Sequence, residues 1–390
     1  MKLLVLGAGL QGNAAAWNLL QHDAVERVTL ADRRLPVLPG FLGTLGDRRL
    51  HPIELDATDR ERLLAVMAGH DAVLCALPYY FNVPVTEAAI AAGCHACDLG
   101  GNTEIVFRQK EYHRAAESRG VSIIPDCGLA PGMVNILAAE GIRRMDRTRS
   151  VKVYVGGLPQ HPEPPLNYQI VYSLEGALDY YTTPSWVLRG GRRERVDALS
   201  EVETLEFPAP IGALEAFHTG GGISTLPFAY EGRIETMEYK TLRYPGHAAI
   251  MRPIRELGLL SDTPILVKGT PVVPRDVFIA AVEPKLARPD SPDLVAVRVR
   301  VNGERQGKET TVGFELLDYS DPARGISAMM RTTGFSLALT ALMQADGTIQ
   351  AKGVHTPDEV VPFSAYVEGL RRFGIRIQEA GGKDPGRSEK

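Results

Sequence analysis

Apolar residues in the first 130 positions alternate between two spacings. Lys2–Leu6 is a compact apolar run, the pattern of a strand buried on both faces. Leu10–Leu20 then carries apolar residues at helical spacing. Glu26–Ala31, Leu50–Leu55, Ala72–Leu77, His95–Leu99 and Val121–Pro125 read as further strands. Between them, helices are predicted over Asp59–Ala68, capped by Thr58, over Val83–Ala92, closed by Gly93, and over Ile105–Arg119, closed by Gly120. Pro36 and Pro39 break the segment where the second crossover helix belongs, so that connection is expected to be short or irregular. This β–α alternation argues for an α/β fold with a Rossmann-type, doubly wound parallel sheet.

The pattern changes after Gly132. A helix over Met133–Arg144 leads into strands such as Val151–Gly156, Glu235–Leu242 and Leu294–Val301. The proline-rich stretch Gly157–Pro165 reads as a crossing loop. Longer connections and isolated strands indicate a second, mixed α/β domain with a largely antiparallel sheet. Helical spacing returns at Phe335–Met343 and Phe363–Phe373. The expected division is 1–130 for dinucleotide binding and 131–330 for substrate binding and oligomerisation. Helices over 331–378 follow, and then a flexible tail, 379–390.

Composition narrows the class. Of 390 residues 44% are hydrophobic and 23% charged, with a formal net charge of −4, so no basic face points to nucleic acid. The apolar start is broken by Gly7, Gly9, Gln11 and Gly12, too early for a signal peptide, and no continuous apolar run is long enough to cross a membrane. A cytoplasmic enzyme with no membrane partner is expected. Cys75, Cys94, Cys97 and Cys127 suit a reducing compartment. Cys94 and Cys97 stand at C-x-x-C spacing, but no second pair follows and the segment reads as a buried strand, so no metal is expected.

The first turn carries the strongest motif. Gly7-Ala8-Gly9-Leu10-Gln11-Gly12 is G-x-G-x-x-G, placed directly after a strand and opening a helix, which is the context the motif requires. Gly7 makes the turn, Gly9 lets backbone approach a pyrophosphate, and Gly12 lets helix and strand pack closely. The free N–H groups of the helix start then hold phosphate. Asp32 follows Gly12 by twenty residues and can accept both ribose hydroxyls of NAD. Arg33 and Arg34 can offset its repulsion of a 2′-phosphate, so NAD is favoured and NADP stays open. FAD fits the chain length and the second domain less well. Asp56 ends the third strand, where it can face the adenine edge or cap a helix. Ala76, Leu77 and Pro78 follow the fourth strand, where the chain should pass the ribose.

Polar or glycine-rich strand ends mark where chemistry gathers. Tyr79 follows Pro78, Gly100 and Gly101 can approach a flat ring, and Asp126 stands in a segment leading to a helix start. In the second domain, His218 and Thr219 precede a glycine run, and Lys240, Arg243 and His247 lie in one stretch. Arg243 is a clamp for an α-carboxylate, because guanidinium binds carboxylate through two parallel hydrogen bonds. Lys240 is three residues away and either faces elsewhere or straddles a bulge with it.

These motifs, together with Ala130-Pro131-Gly132-Met133, Ser173-Leu174-Glu175-Gly176 and Glu238-Tyr239-Lys240-Thr241, resemble the saccharopine dehydrogenase superfamily. Within it the resemblance is strongest to the L-lysine 6-dehydrogenases, over residues 1 to about 378. It implies oxidative deamination of the lysine ε-amino group to a semialdehyde that cyclises to an imine, in a homo-oligomer whose C-terminal residues return to the nucleotide domain. Imine reduction of the saccharopine type is the alternative within enzymes, and a non-catalytic nucleotide sensor the alternative outside them. The acid–base candidates are Asp126, Tyr79 and Lys240, in that order, with His218 and His247 behind them. Arg243 and Tyr168 are expected to orient the carboxylate, and Glu163 and Glu175 to meet the ammonium.

Overall fold

The computed structural model describes residues 1–35, 37–288 and 291–380. The N-terminal strands are β1 (Lys2–Leu6), β2 (Arg27–Asp32), β3 (Leu50–Glu54), β4 (Ala72–Cys75), β5 (His95–Asp98) and β6 (Ser122–Ile124). There follow β7 (Arg147–Pro159), β8 (Ser185–Arg189), β9 (Arg192–Val196), β10 (Glu203–Phe207), β11 (Gly212–His218) and β12 (Thr236–Arg243). A small hairpin, β13 (Ile265–Val267) and β14 (Thr270–Val272), precedes the long strands β15 (Asp293–Arg305) and β16 (Lys308–Tyr319). Two short strands, β17 (Gly353–Val354) and β18 (Gln378–Ala380), lie near the end of the chain.

Seven parallel strands form the first sheet, in the order β17-β6-β5-β4-β1-β2-β3. The strand order reverses at β1, so the connections that leave β1 and β4 run to opposite sides and open the crevice where such sheets bind ligands. Leu3, Leu4, Val5, Val73, Leu74 and Cys75 are fully buried, as a strand covered on both faces requires. The second crossover is a single short helix, Gly40–Gly43, preceded by Pro39. Pro36 lies outside the described residues.

The second sheet has nine strands. Its path is β10-β11-β12-β7-β15-β16-β18, with β8 attached to β12 and β9 to β8. All its pairings are antiparallel except β12 with β7. The stretch expected as a crossing loop from Gly157 is partly strand, because β7 continues through Pro159 paired with β15. The helix expected over Ile105–Arg119 is two, Thr103–Lys110 and His113–Arg119. Thr58 is not the cap of the next helix. Asp59 is, its carboxylate accepting from the Arg62 N–H.

The C-terminal segment closes on the first sheet. The helix Phe335–Ala345 packs on the helix Leu10–Leu20 and on β4 and β5, and β17 adds to the edge at β6. Trp17 stacks on Phe335 with ring centroids 5.5 Å apart. Gly334 makes this approach possible, since a Cβ there would stand 2.8 Å from both Ala14 Cβ and the Gln11 carbonyl. The segment then crosses back, and β18 pairs with β16, so residues 379 and 380 belong to a strand rather than to a tail. Residues 381–390 of the expected tail lie outside the described residues. No described helix is long and apolar enough to cross a membrane.

Gly334→Val should therefore lower stability by about 1–3 kcal/mol through overpacking. Thermal denaturation checks it, and an unchanged midpoint would mean that the two helices are not in intimate contact.

Candidate active site

The loop between β1 and its helix forms a groove that fits a dinucleotide. A Cβ on Gly12 would stand 1.8 Å from the Gly7 carbonyl oxygen, whereas a Cβ on Gly9 meets nothing within 4 Å. Gly12 is thus required by helix–strand packing, and Gly9 keeps open space above the turn. The helix start has no side-chain cap, so its first N–H groups stay available to an anion. Gln11 stands in that first turn with both amide atoms buried and without a hydrogen-bond partner among the described residues. Asp32 ends β2 with one carboxylate oxygen accepting from the Ala8 N–H at 2.8 Å, which fixes it beside the turn. Asp56 binds its own loop instead of capping a helix, accepting from the N–H and hydroxyl of Thr58 at 2.9 and 2.7 Å. Arg33 is exposed.

From this groove a cleft of about 380 Å³ runs between the two sheets. The nucleotide side contributes Gln11, Ala76, Leu77, Pro78, Tyr79, Gly100 and Gly101. The second sheet contributes Tyr239, Thr241 and Arg243 from β12, with Val155 and Gly157 from β7. The helix Leu174–Thr182 forms a third wall through Glu175, Asp179 and Tyr180. Alternation along β12 selects the residues: 239, 241 and 243 face the cleft, while 240 faces the other side.

Arg243 is the chemical centre of this cleft. It is 3% exposed, and no carboxylate pairs with it among the described residues. Its Nε donates to the Tyr181 hydroxyl at 3.2 Å and its Nη1 to the Leu242 carbonyl at 2.8 Å. The Tyr168 ring covers one face, 4.7 Å from the guanidinium carbon. A guanidinium does not lose its proton, and a desolvated cation without a counter-ion is costly, so the site is built to receive an anion.

The other charged lining residues are acidic. Glu175 and Asp179 stand four apart on one helix face. Asp179 is paired with Arg275 at 2.6 Å, and Arg275 also donates to the Glu175 carbonyl at 2.6 Å. That leaves the Glu175 carboxylate as the uncompensated negative charge of the wall. Burial, then Asp179, lifts the Tyr79 phenol above its ordinary value, so Tyr79 faces the cleft as a neutral hydrogen-bond donor.

Asp126 does not line the cleft. It is completely buried, at φ 64°, behind Gly100, where a Cβ would stand 1.8 Å from its Oδ1. Neither carboxyl oxygen has a hydrogen bond of normal geometry among the described residues. Burial pushes its pKa up to about 8; the Ser224 hydroxyl draws it down, and nearby Asp98 raises it. Asp98 itself, accepting from Gln109 at 2.7 Å, Gly100 N at 2.7 Å and Asp126 N at 3.3 Å, is pushed by burial to about 6.

Several expected site residues lie elsewhere. Lys240 points to the opposite face of the sheet, with Nζ 2.8 Å from both Glu203 Oε1 and the Glu201 carbonyl. His218 is on that same face, opposite Lys240 in register, with its Nε2 3.2 Å from Glu201. Glu201, His218 and Glu238 are the one group of metal-ligating side chains whose atoms converge among the described residues. Their carboxylates are already paired, Glu201 with Arg189 and Glu238 with Lys152. Glu163 pairs with Arg288, outside the cleft. Thr219 supports Thr241 from behind, hydroxyl to hydroxyl at 2.7 Å. Tyr239, Thr241, Asp179 and Tyr180 were not singled out from sequence. The first two could have been, by stepping back from Arg243 in twos along its strand.

Comparison with known proteins agrees with this construction. A family model described as the saccharopine dehydrogenase NADP binding domain matches residues 3–124, and one described as the saccharopine dehydrogenase C-terminal domain matches residues 128–375. The chain is 22% identical to "Saccharopine dehydrogenase [NADP(+), L-glutamate-forming]" of Schizosaccharomyces pombe, over 97% of this chain and 98% of that protein. It is 25% identical to the mitochondrial "Alpha-aminoadipic semialdehyde synthase" of Bos taurus, over 96% of this chain but 47% of that protein, so it spans about half the bovine length. The crystal structure of apo saccharopine dehydrogenase (L-Glu forming) from Saccharomyces cerevisiae superimposes with a TM-score of 0.80 at 21% identity, covering 98% of this chain and all of the other. A groove of this shape within a matched NADP-binding domain makes the cofactor a nicotinamide dinucleotide.

Asp126→Asn tests the buried acid. The folded carboxyl keeps its proton up to about pH 8, whereas an unfolded one loses it near pH ~4. The wild type therefore loses stability as pH rises through that window. The variant should gain on the wild type between pH 5 and 9 by up to about 4 kcal/mol. Chemical denaturation at both pH values measures it, and a constant difference would show that Asp126 ionises normally.

Proposed function

The chain belongs to the saccharopine dehydrogenase family, and we propose that it oxidises the carbon bearing the terminal amine of a small diamino monocarboxylic acid, with L-lysine as the substrate. One observation carries this choice: the charged residues lining the cleft are one buried arginine, Arg243, and two carboxylates, Glu175 and Asp179. A substrate with a single carboxylate and a cationic end complements that set. Saccharopine carries three carboxylates and would meet one guanidinium and an acidic wall.

In this reading Arg243 holds the α-carboxylate through its fork, with the Tyr168 ring beneath it. Glu175 attracts the ammonium end to the cleft wall and takes the proton that the amine must release before hydride can leave its carbon for the nicotinamide. Tyr79, Tyr180 and Tyr239 keep their protons and donate hydrogen bonds rather than act as bases, because burial raises each phenol above its ordinary value. The apolar lining from Leu77, Pro78, Leu129 and Met329 keeps water away from the reacting carbon. A bound nicotinamide dinucleotide supplies the hydride acceptor.

Asp32 supports NAD as the preferred form. Its carboxylate, fixed by the Ala8 N–H, stands at the end of β2 where a ribose hydroxyl is read and a 2′-phosphate repelled. The names of the fungal relatives point to NADP, and the exposed Arg33 and Arg34 are the groups that would favour it.

Rates of NADH or NADPH formation, read as absorbance at 340 nm with L-lysine and NAD and then with saccharopine and NADP, separate the two reactions. Turnover in the first assay is expected. Turnover confined to the second would replace this reading by the saccharopine type. Asp32→Ser should move the NAD-to-NADP ratio of kcat/KM toward NADP by about tenfold or more. An unmoved ratio would remove Asp32 from cofactor choice.

A further inference from the structure

We propose that Tyr181 and His247 are positioning residues that aim the Arg243 guanidinium into the cleft through one directional hydrogen-bond chain. The proposal rests on the carboxylate-binding role given to Arg243 above.

Neither residue lines the cleft, and both are buried. The Leu166 carbonyl lies 3.2 Å from His247 Nδ1, and a carbonyl can only accept, so Nδ1 carries the imidazole proton. Burial, with Arg243 second, pushes the His247 pKa down to about 3, so the ring is neutral and Nε2 is a bare acceptor. The Tyr181 hydroxyl stands 2.9 Å from that nitrogen and must donate to it. Its oxygen lone pairs are then left for the Arg243 Nε–H at 3.2 Å. Every donor in the chain has one acceptor, and the direction is set by the Leu166 carbonyl.

The effect on Arg243 is geometric. Nε is tied to Tyr181 and Nη1 to the Leu242 carbonyl, while Nη2 has no hydrogen-bond partner among the described residues. Packing holds the chain in place. His247 lies parallel to the Phe217 ring at 6.2 Å and edge-on to Tyr168 at 5.5 Å. The backbone at His247 is anchored separately, since Glu215 accepts from the N–H groups of Gly246 and Ala248 at 2.9 and 2.6 Å. The arginine thus gains a fixed direction without a carboxylate partner that would cancel its charge.

Tyr181→Phe removes the hydroxyl and keeps the ring. Steady-state kinetics with NAD should show KM for L-lysine rising about tenfold with kcat little changed, from the loss of a hydrogen bond to a charged group. 1,5-Diaminopentane, which lacks the carboxylate, should show no change of KM. A purely structural defect would move both substrates together and overturn the proposal. So would an unchanged lysine KM in Tyr181→Phe when Arg243→Gln raises it. If Arg243→Gln also leaves lysine unaffected, the carboxylate reading of the cleft is overturned instead. Histidine ¹⁵N signals decide the chain independently of turnover. A neutral Nδ1–H tautomer at His247 from pH 5 to 9 supports it, and an Nε2–H tautomer or titration near neutrality overturns it.

Discussion

A positive charge held out of water without a partner is the constraint around which this molecule is arranged. Arg243 ends β12, one of the two strands of the second sheet that pair in parallel, and it lines the cleft between the sheets. The Tyr181 hydroxyl, backed by a neutral imidazole, and the Leu242 carbonyl hold two of the guanidinium nitrogens without neutralising the charge. Such a group costs folding free energy when the cleft is empty and favours any anion that enters. Its placement explains why the surrounding polar residues are phenols rather than carboxylates. A phenol offers a lone pair to the guanidinium yet stays uncharged.

The two sheets divide the work. The parallel sheet opens a crevice at its reversal point, where the glycine turn and Asp32 fit a dinucleotide. The mixed sheet offers one face of β12 to the cleft and carries half-exposed ion pairs on the other. The helix Leu174–Thr182 closes the third side and brings its carboxylates opposite the guanidinium. Arg275 decides how much of that negative charge is felt, since its pairing with Asp179 leaves Glu175 uncompensated. The largely apolar cleft therefore carries a cation at one position and an anion at another. A ligand is oriented before any chemistry begins.

A second pattern is the set of buried acids at the ends of β5 and β6. Burial raises both, Asp98 to about 6 and Asp126 to about 8. Asp98 is held lower by three hydrogen bonds to its carboxylate, whereas Asp126 has mainly Ser224 to draw it down and the nearby carboxylates of Asp98 and Asp358 to raise it. Asp126 drew attention as an acid–base group because it stands in a glycine-rich loop leading to a helix. That loop folds its side chain inward behind Gly100, and the surface of the cleft is left to backbone and tyrosine.

Local spacing was enough to read the parallel sheet, the glycine turn and the acid at the end of the second strand, and to single out Arg243 as a candidate. Each of these depends on contacts within a few residues or on the period of a single strand. The same information separated Lys240 from Arg243 in principle, because odd and even positions of a strand face opposite ways. It could not decide whether a bulge intervened. Tertiary structure alone decided which face met the cleft, that residues 331–380 would touch both sheets, and that Tyr181, His247 and Leu166 would meet behind Arg243. Those residues are separated by up to 81 positions, and no periodicity relates them. Only the packing of the helix Leu174–Thr182 against the helix His247–Glu256 that follows β12 brings a phenol, an imidazole and a guanidinium within hydrogen-bonding reach.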